Sequence, residues 1–293
     1  MRANIHWFPG HMAKTIRQLD EQNKLIDLVI EIVDSRIPNS SRNPLVDKIF
    51  ANKPKLMILN KKDLADPKIT AKWINYYQQH GQMAITLNSK DLQIKKEIIA
   101  KIYEVLAPKI NKALTRGIKN PKLKVLIIGI PNVGKSTFIN ALIKRQSAKV
   151  GNKPGVTKGQ QWLKLNEQID LVDTPGILWP KFDDPQVALN LAFTRSIKED
   201  ILPKEEVAFG ALKFFYQHYF APLKEIYQLT YNPDVNLDDE VTVFNLMLEM
   251  QTNKFKVKSE DNIDRIVNDF LNHLWNNQLG LVSFESPLKE NNE

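Results

Sequence analysis

The octapeptide GIPNVGKS, residues 129–136, stands directly after the apolar run of residues 123–128 and opens a helical stretch reaching about residue 144. It matches G-x-x-x-x-G-K-[ST] in the strand–loop–helix setting that this motif requires. A chance match in a chain of this length has a probability on the order of 1%, so the setting decides the reading. Few folds admit such a loop. Its glycines let successive backbone N–H groups approach a polyphosphate, the helix N-terminus adds positive potential, and a buried strand must stand behind both. Lys135 is placed to reach the β- and γ-phosphates and Ser136 to ligate Mg²⁺, with Asn132, Val133, Gly134 and Thr137 lining the same cradle.

The surrounding pattern suits that loop. Residues 25–33 (LIDLVIEIV), 55–59 (KLMIL) and 83–87 (MAITL) read as strands, the first two apolar on both faces as in a buried parallel sheet. Further strands are expected near 160–165 and 168–172, and helices over about 68–80 and 91–106, the latter with Ile94, Ile98, Ile99, Ile102 and Val105 at helical spacing. Residues 108–121 read as a basic connector containing Lys109, Lys112, Arg116 and Lys119. The alternation predicts a doubly wound parallel α/β sheet over residues 1–183, with residues 1–20 as an N-terminal arm. Beyond residue 184 the periodicity turns helical. Val207, Ala211, Leu212, Phe215 and Tyr219 form one apolar face, and Ile263, Ile266, Val267, Phe270, Leu271, Leu274 and Trp275 form a cleaner one. An all-α C-terminal domain over 184–293 is expected, read as RNA- or ribosome-binding.

A phosphate loop alone does not choose between adenine and guanine. NKKD, Asn60, Lys61, Lys62 and Asp63, ends the strand of residues 55–59, where open sheets bind ligands. A carboxylate at Asp63 can accept both N1–H and the exocyclic amine of guanine. Against adenine, whose N1 is an acceptor, it would stay unpaired at a cost. Asn60 can hold the base edge and the Lys61 stem can lie along the ring face. Asn88 and Ser89 follow the next strand, where a backbone N–H can meet the guanine oxygen. DTPG, residues 173–176, supplies Asp173 to hold Mg²⁺ through water and the Gly176 N–H for the γ-phosphate. Thr157, 21 residues after Ser136, is a second Mg²⁺ ligand of the kind that orders only with GTP. Arg36 and Arg42 follow a strand and read as a surface turn, with phosphate or RNA contact as the alternative.

These are the five guanine-nucleotide motifs of Ras-like proteins in the order base, base, phosphate, switch, magnesium. The chain therefore resembles the circularly permuted GTPases. WFPGHMAK (7–14), DSRIPNSSRNP (34–44), DTPGILWPKF (173–182) and LVSFE (281–285) are similar to the ribosome biogenesis GTPase A family. The resemblance spans nearly the whole chain except residues 230–262. It implies a permuted P-loop GTPase domain followed by the helical domain, and a cytosolic factor working late in assembly of the large ribosomal subunit, with a monomer as the expected oligomeric state. It also implies rRNA contact and GTP hydrolysis stimulated by that subunit.

Ras-type proteins place a glutamine just after D-x-x-G; here Ile177 can neither donate nor accept. Two residues offer a substitute through the resemblance. Asn132 matches relatives in which this asparagine coordinates K⁺ beside the phosphates, a loop-stabilising asparagine being the plainer reading. His11 matches the histidine proposed as catalytic in the family, a ribosome anchor being its plainer reading. Trp7 and Phe8 either stack on RNA bases or pack against the sheet.

Composition narrows the class. There are no cysteines, which removes disulfides and thiolate metal sites, including the zinc site usual in permuted GTPases that serve the small subunit. That alternative, or another structured RNA, stays the rival reading. Residues 1–229 carry 36 Lys and Arg against 21 Asp and Glu, and residues 230–293 carry 5 against 12. A basic body suits a polyanionic partner. No apolar run approaches the ~20 residues of a bilayer span and the N-terminus lacks a secretory apolar core, so no membrane partner is expected and the cytosol is the expected compartment.

Overall fold

The computed structural model describes residues 10–89, 91, 93–143, 161–179, 182, 184–199, 201–256 and 263–287, with side chains of the first helix described from Ile16 onward. Six strands, β1 (Leu28–Asp34), β2 (Lys55–Asn60), β3 (Ala84–Thr86), β4 (Leu123–Ile128), β5 (Gln161–Lys164) and β6 (Ile169–Asp173), form one sheet in the order β3-β2-β1-β4-β6-β5. β1 is buried along its whole length and pairs in parallel with β2 and β4, so Asp34 lies beside Asn60. A strand flanked on both sides needs apolar residues on both faces, which is why LVIEIVD lacks the alternation of a solvated strand.

The expected doubly wound sheet is present, with β5 as an antiparallel edge strand beside β6. Only residues 165–168 join the two strands, too few for a parallel crossover. Asn166 closes the turn, its Oδ1 accepting from the Gln168 and Ile169 amides at 2.8 Å each.

Four helices belong to this part besides the one after the phosphate loop. The supposed arm is helical from its tenth residue as α1 (Gly10–Gln22), and α2 (Pro44–Ile49) follows the loop after β1. Asn43 caps α2 and Pro44 supplies the pre-set first turn, a signal that the sequence reading passed over. α3 (Pro67–Gln79) starts the same way, Asp66 accepting from the Lys68 and Ile69 amides. α4 (Ile94–Thr115) runs through Pro108 and takes in most of the expected connector. An exposed proline forfeits one backbone bond, but Ile98, Ile102 and Leu106 bury the face before it and the helix continues. α5 (Lys135–Ile143) follows the phosphate loop.

The remaining helices are α6 (Pro185–Phe193), α7 (Lys204–His218), α8 (Phe220–Tyr227), α9 (Glu240–Phe255) and α10 (Ile263–Trp275). α9 lies within the motif-free stretch of residues 230–262; Asp239 caps it through the Val241 and Thr242 amides. α10 buries Ile266, Val267, Phe270, Leu271 and Leu274, the stripe read from its periodicity. One continuous apolar core runs from Leu28, Ile30 and Ile32 on one sheet face through α4 and α5 into these helices. The other face is covered in two patches. Leu19 of α1 packs with Val29, Val46, Phe50, Leu126 and Ile177, while Trp73 and Tyr77 of α3 pack with Val33, Met57 and Leu59. Among the described residues no helix is long and apolar enough to cross a membrane.

Candidate nucleotide site at the carboxyl edge of the sheet

β2, β1, β4 and β6 all end at one edge, so the loops after them share it. Asn60, the last residue of β2, binds in two directions at once. Its Nδ2 donates to the Val133 carbonyl in the phosphate loop at 2.7 Å, and its Oδ1 accepts from the Ser89 amide at 3.0 Å and hydroxyl at 2.7 Å. Asn60 and Ser89 are buried, Asn88 and Lys61 are half-buried, and Lys62 and Asp63 are exposed. The Lys62 amide donates to the Leu87 carbonyl, holding the two base loops together. The sequence reading gave Asn60 only to the base edge; its tie between three loops had no sequence signal.

The phosphate loop is shaped by its glycines. Gly134 has φ +93°, and a Cβ there would run into the Asn60 amide. A Cβ at Gly129 would meet the Ile32 carbonyl oxygen at 2.6 Å, and one at Gly176 would meet the Pro131 nitrogen at 2.8 Å. Asn132 adopts φ +61° and its Nδ2 donates to the Arg195 carbonyl at 2.5 Å, joining the loop to the turn after α6. Lys135 opens α5 from a buried position, its Nζ on Asp173 Oδ1 at 2.5 Å. Burial lowers its pKa, with the Asp173 carboxylate opposing. Among the described residues, buried Asp173 Oδ2 has no hydrogen-bond partner. Ser136 follows Lys135 on α5, half-buried, as is Thr137.

Asp34 and Arg36 belong to this edge, which corrects the reading of Arg36 as part of a surface turn. Arg36 is only 4% exposed and grips Asp34 through Nε at 3.0 Å and Nη2 at 2.9 Å. Arg42 is half-buried instead, against Glu31 and Asp47. Glu31 sits in the middle of β1, and burial raises its pKa despite Arg42. A D-x-R pair at two-residue spacing was the available signal.

Ile177 is buried among Leu19, Val29 and Ile128, its amide donating to the Gly129 carbonyl at 3.2 Å and its carbonyl accepting from Asn43 Nδ2 at 2.9 Å. His11 lies in the first turn of α1, and its side chain is outside the described residues. Thr157, Trp7 and Phe8 also lie outside them.

The model of the family described as 50S ribosome-binding GTPase matches residues 124–204. Ribosome biogenesis GTPase A of Bacillus cereus is 46% identical over 283 residues, covering 97% of this chain and 94% of that protein. The Bacillus licheniformis protein of that name is 41% identical over 283 residues, covering 97% and 98%. Among solved structures, GNP-bound YlqF from T. maritima superposes with a TM-score of 0.59 at 24% identity, covering 94% of this chain and 98% of that one. A GDP-bound YlqF structure gives 0.60 at 23% identity, covering 92% and 99%. At those identities the two structures speak for the fold.

Proposed function

This chain belongs to the ribosome biogenesis GTPase A family, and on that premise we propose that it binds GTP with Mg²⁺ and hydrolyses it on the large ribosomal subunit during assembly, in the cytosol. One observation carries the site. A single buried amide, Asn60, holds the phosphate loop 73 residues away and the second base loop 29 residues away. That contact supports reading the two base motifs and the phosphate loop as one constellation.

In this reading Asp63 takes the N1–H and amine of guanine, and Asn60 offers its second amide hydrogen to the ring. The Lys61 stem lies along the ring, Lys62 flanks it, and the Asn88–Ser89 loop turns a backbone N–H toward the guanine oxygen. Backbone amides of residues 132–137 surround the phosphates, and Lys135 moves its ammonium from Asp173 to the β- and γ-oxygens. The lone buried Oδ2 of Asp173 and the Ser136 hydroxyl suit a hydrated Mg²⁺, with Thr157 as the further ligand. Bound there, the ion neutralises developing phosphate charge. The Gly176 N–H meets the γ-phosphate. Asn132, whose Nδ2 donates to the Arg195 carbonyl, is the residue proposed for K⁺. Ile177 points into the core, so water is positioned by another group, and His11 is the residue proposed.

The test is GTP turnover with and without purified large or small subunits, each in K⁺ and in Na⁺ at equal ionic strength. Stimulation by the large subunit alone, faster in K⁺, is expected. Stimulation by the small subunit would transfer the function to the rival partner, and equal rates in both salts would remove the Asn132 role.

A further inference from the structure

β1 lies between the phosphate-loop strand β4 and the base-motif strand β2, and Asp34 closes it at the site edge. The carboxylate is fully buried. Oδ2 accepts from Lys61 Nζ at 2.8 Å and from Arg36 Nη2 at 2.9 Å; Oδ1 accepts from the Arg36 amide and Nε at 3.0 Å each. Lys61 has φ +61°, a left-handed turn straight after β2, and its side chain reaches from the end of β2 to the end of β1. Arg36 is itself anchored from the C-terminal segment. Its Nη1 donates to Asn277 Oδ1 at 2.7 Å, and its carbonyl accepts from the Phe284 amide at 2.8 Å.

The bidentate Arg36 grip already balances the charge of Asp34. Burial would favour a neutral carboxyl, yet the two cations outweigh it and hold Asp34 well below the usual carboxylate range. The anion is thus fixed in place and in charge, and a second cation is drawn to it across the gap between the strands. A free lysine would have to freeze four side-chain torsions to serve as a planar shelf, at a cost in entropy.

We propose that Asp34 is a positioning residue for the nucleotide base: it holds the Lys61 ammonium so that the methylene stem lies ready as the shelf under guanine, with Arg36 fixing Asp34 against Asn277. The inference rests on the base-site reading of residues 60–63. Phosphates play no part in this contact, so GTP and GDP affinity must change together.

Dissociation constants for fluorescently labelled GTP and GDP are to be measured for wild type, Asp34→Asn, Lys61→Met and the double variant. Lys61→Met keeps an apolar stem and leaves the Asp34–Arg36 pair intact. Each single change should weaken both nucleotides about three- to tenfold, the scale of ordering one long side chain. The double variant should be no weaker than the worse single. Additive losses, unchanged affinity in Asp34→Asn, or a loss confined to GTP would overturn the proposal. Where Asp34→Asn does not fold, Asp34→Glu keeps the charge and displaces it by a methylene; it should weaken binding in wild type and do nothing further on Lys61→Met. Asp63→Asn in the same assay separates the premise. If Asp63→Asn retains wild-type GTP affinity, the base-site reading fails; if it loses GTP while Asp34 and Lys61 act independently, the failure belongs to Asp34 alone.

Discussion

Asp63 stands exposed one turn beyond β2, while its neighbour Asn60 is locked between two loops. In the proposed site base choice rests on Asp63, the acceptor-only group that guanine N1–H and its amine can both satisfy. Asp63→Asn converts one acceptor into a donor. GTP binding should fall by about 10²-fold or more, because two charge-assisted hydrogen bonds are lost and a donor faces a donor. Binding of xanthosine triphosphate, whose carbonyl replaces the amine, should rise. Competition titrations with the two nucleotides measure both changes, and a variant that still prefers GTP refutes the assignment. The proposed base chemistry is read from the sequence itself, N-K-x-D beside a phosphate loop. What was not legible is contact between residues far apart in the chain. Nothing in NKKD signals that Asn60 reaches Val133, or that Lys61 turns back onto Asp34.

At the scale of elements, the apolar runs located β1, β2 and β4 because strands buried on both faces carry uninterrupted hydrophobic stretches. Short or broken patterns were harder to read. α2 is six residues with one buried side chain, and α4 passes a proline that reads as a stop. The phosphate loop is an element too, and its shape depends on Gly134. At φ +93° any Cβ is strained, and here it would also press on the Asn60 amide that donates to Val133. Gly134→Ala should therefore disturb the base loop and the phosphate loop together, lowering affinity for GTP and GDP by more than tenfold. Far-UV circular dichroism should stay near wild type, because the sheet core lies elsewhere. Undiminished nucleotide affinity in Gly134→Ala would show that the loop is not held by Asn60.

Over the whole molecule, α1 and the loop after β1 both reach Ile177, just after DTPG. The chain leaves Ile177 for the helical region rather than returning into the sheet. The C-terminal segment comes back to the loop after β1, where Glu285 accepts from the Ser40 amide at 3.0 Å and hydroxyl at 2.6 Å. α1 joins from the other end, its Leu19 buried in the same cluster as Ile177. A helix rises 1.5 Å per residue, so His11 lies about 12 Å along α1 from that anchor. α1 is thus tied to the segment that carries Ile177 in place of a water-positioning glutamine, and His11 stands in the first turn of that helix. A group that orients or deprotonates water is worth typically 10²- to 10⁴-fold. His11→Ala should bind GTP nearly as wild type does, still join the large subunit, and lose most of its stimulated turnover. If release requires hydrolysis, the variant should also persist on immature particles. A histidine that only anchors the protein on RNA would give the opposite pattern, with weaker subunit binding and an unchanged single-turnover rate at saturating subunit. Measuring both quantities on the one variant decides between them, and the anchoring pattern would end the catalytic assignment while leaving the nucleotide site as described.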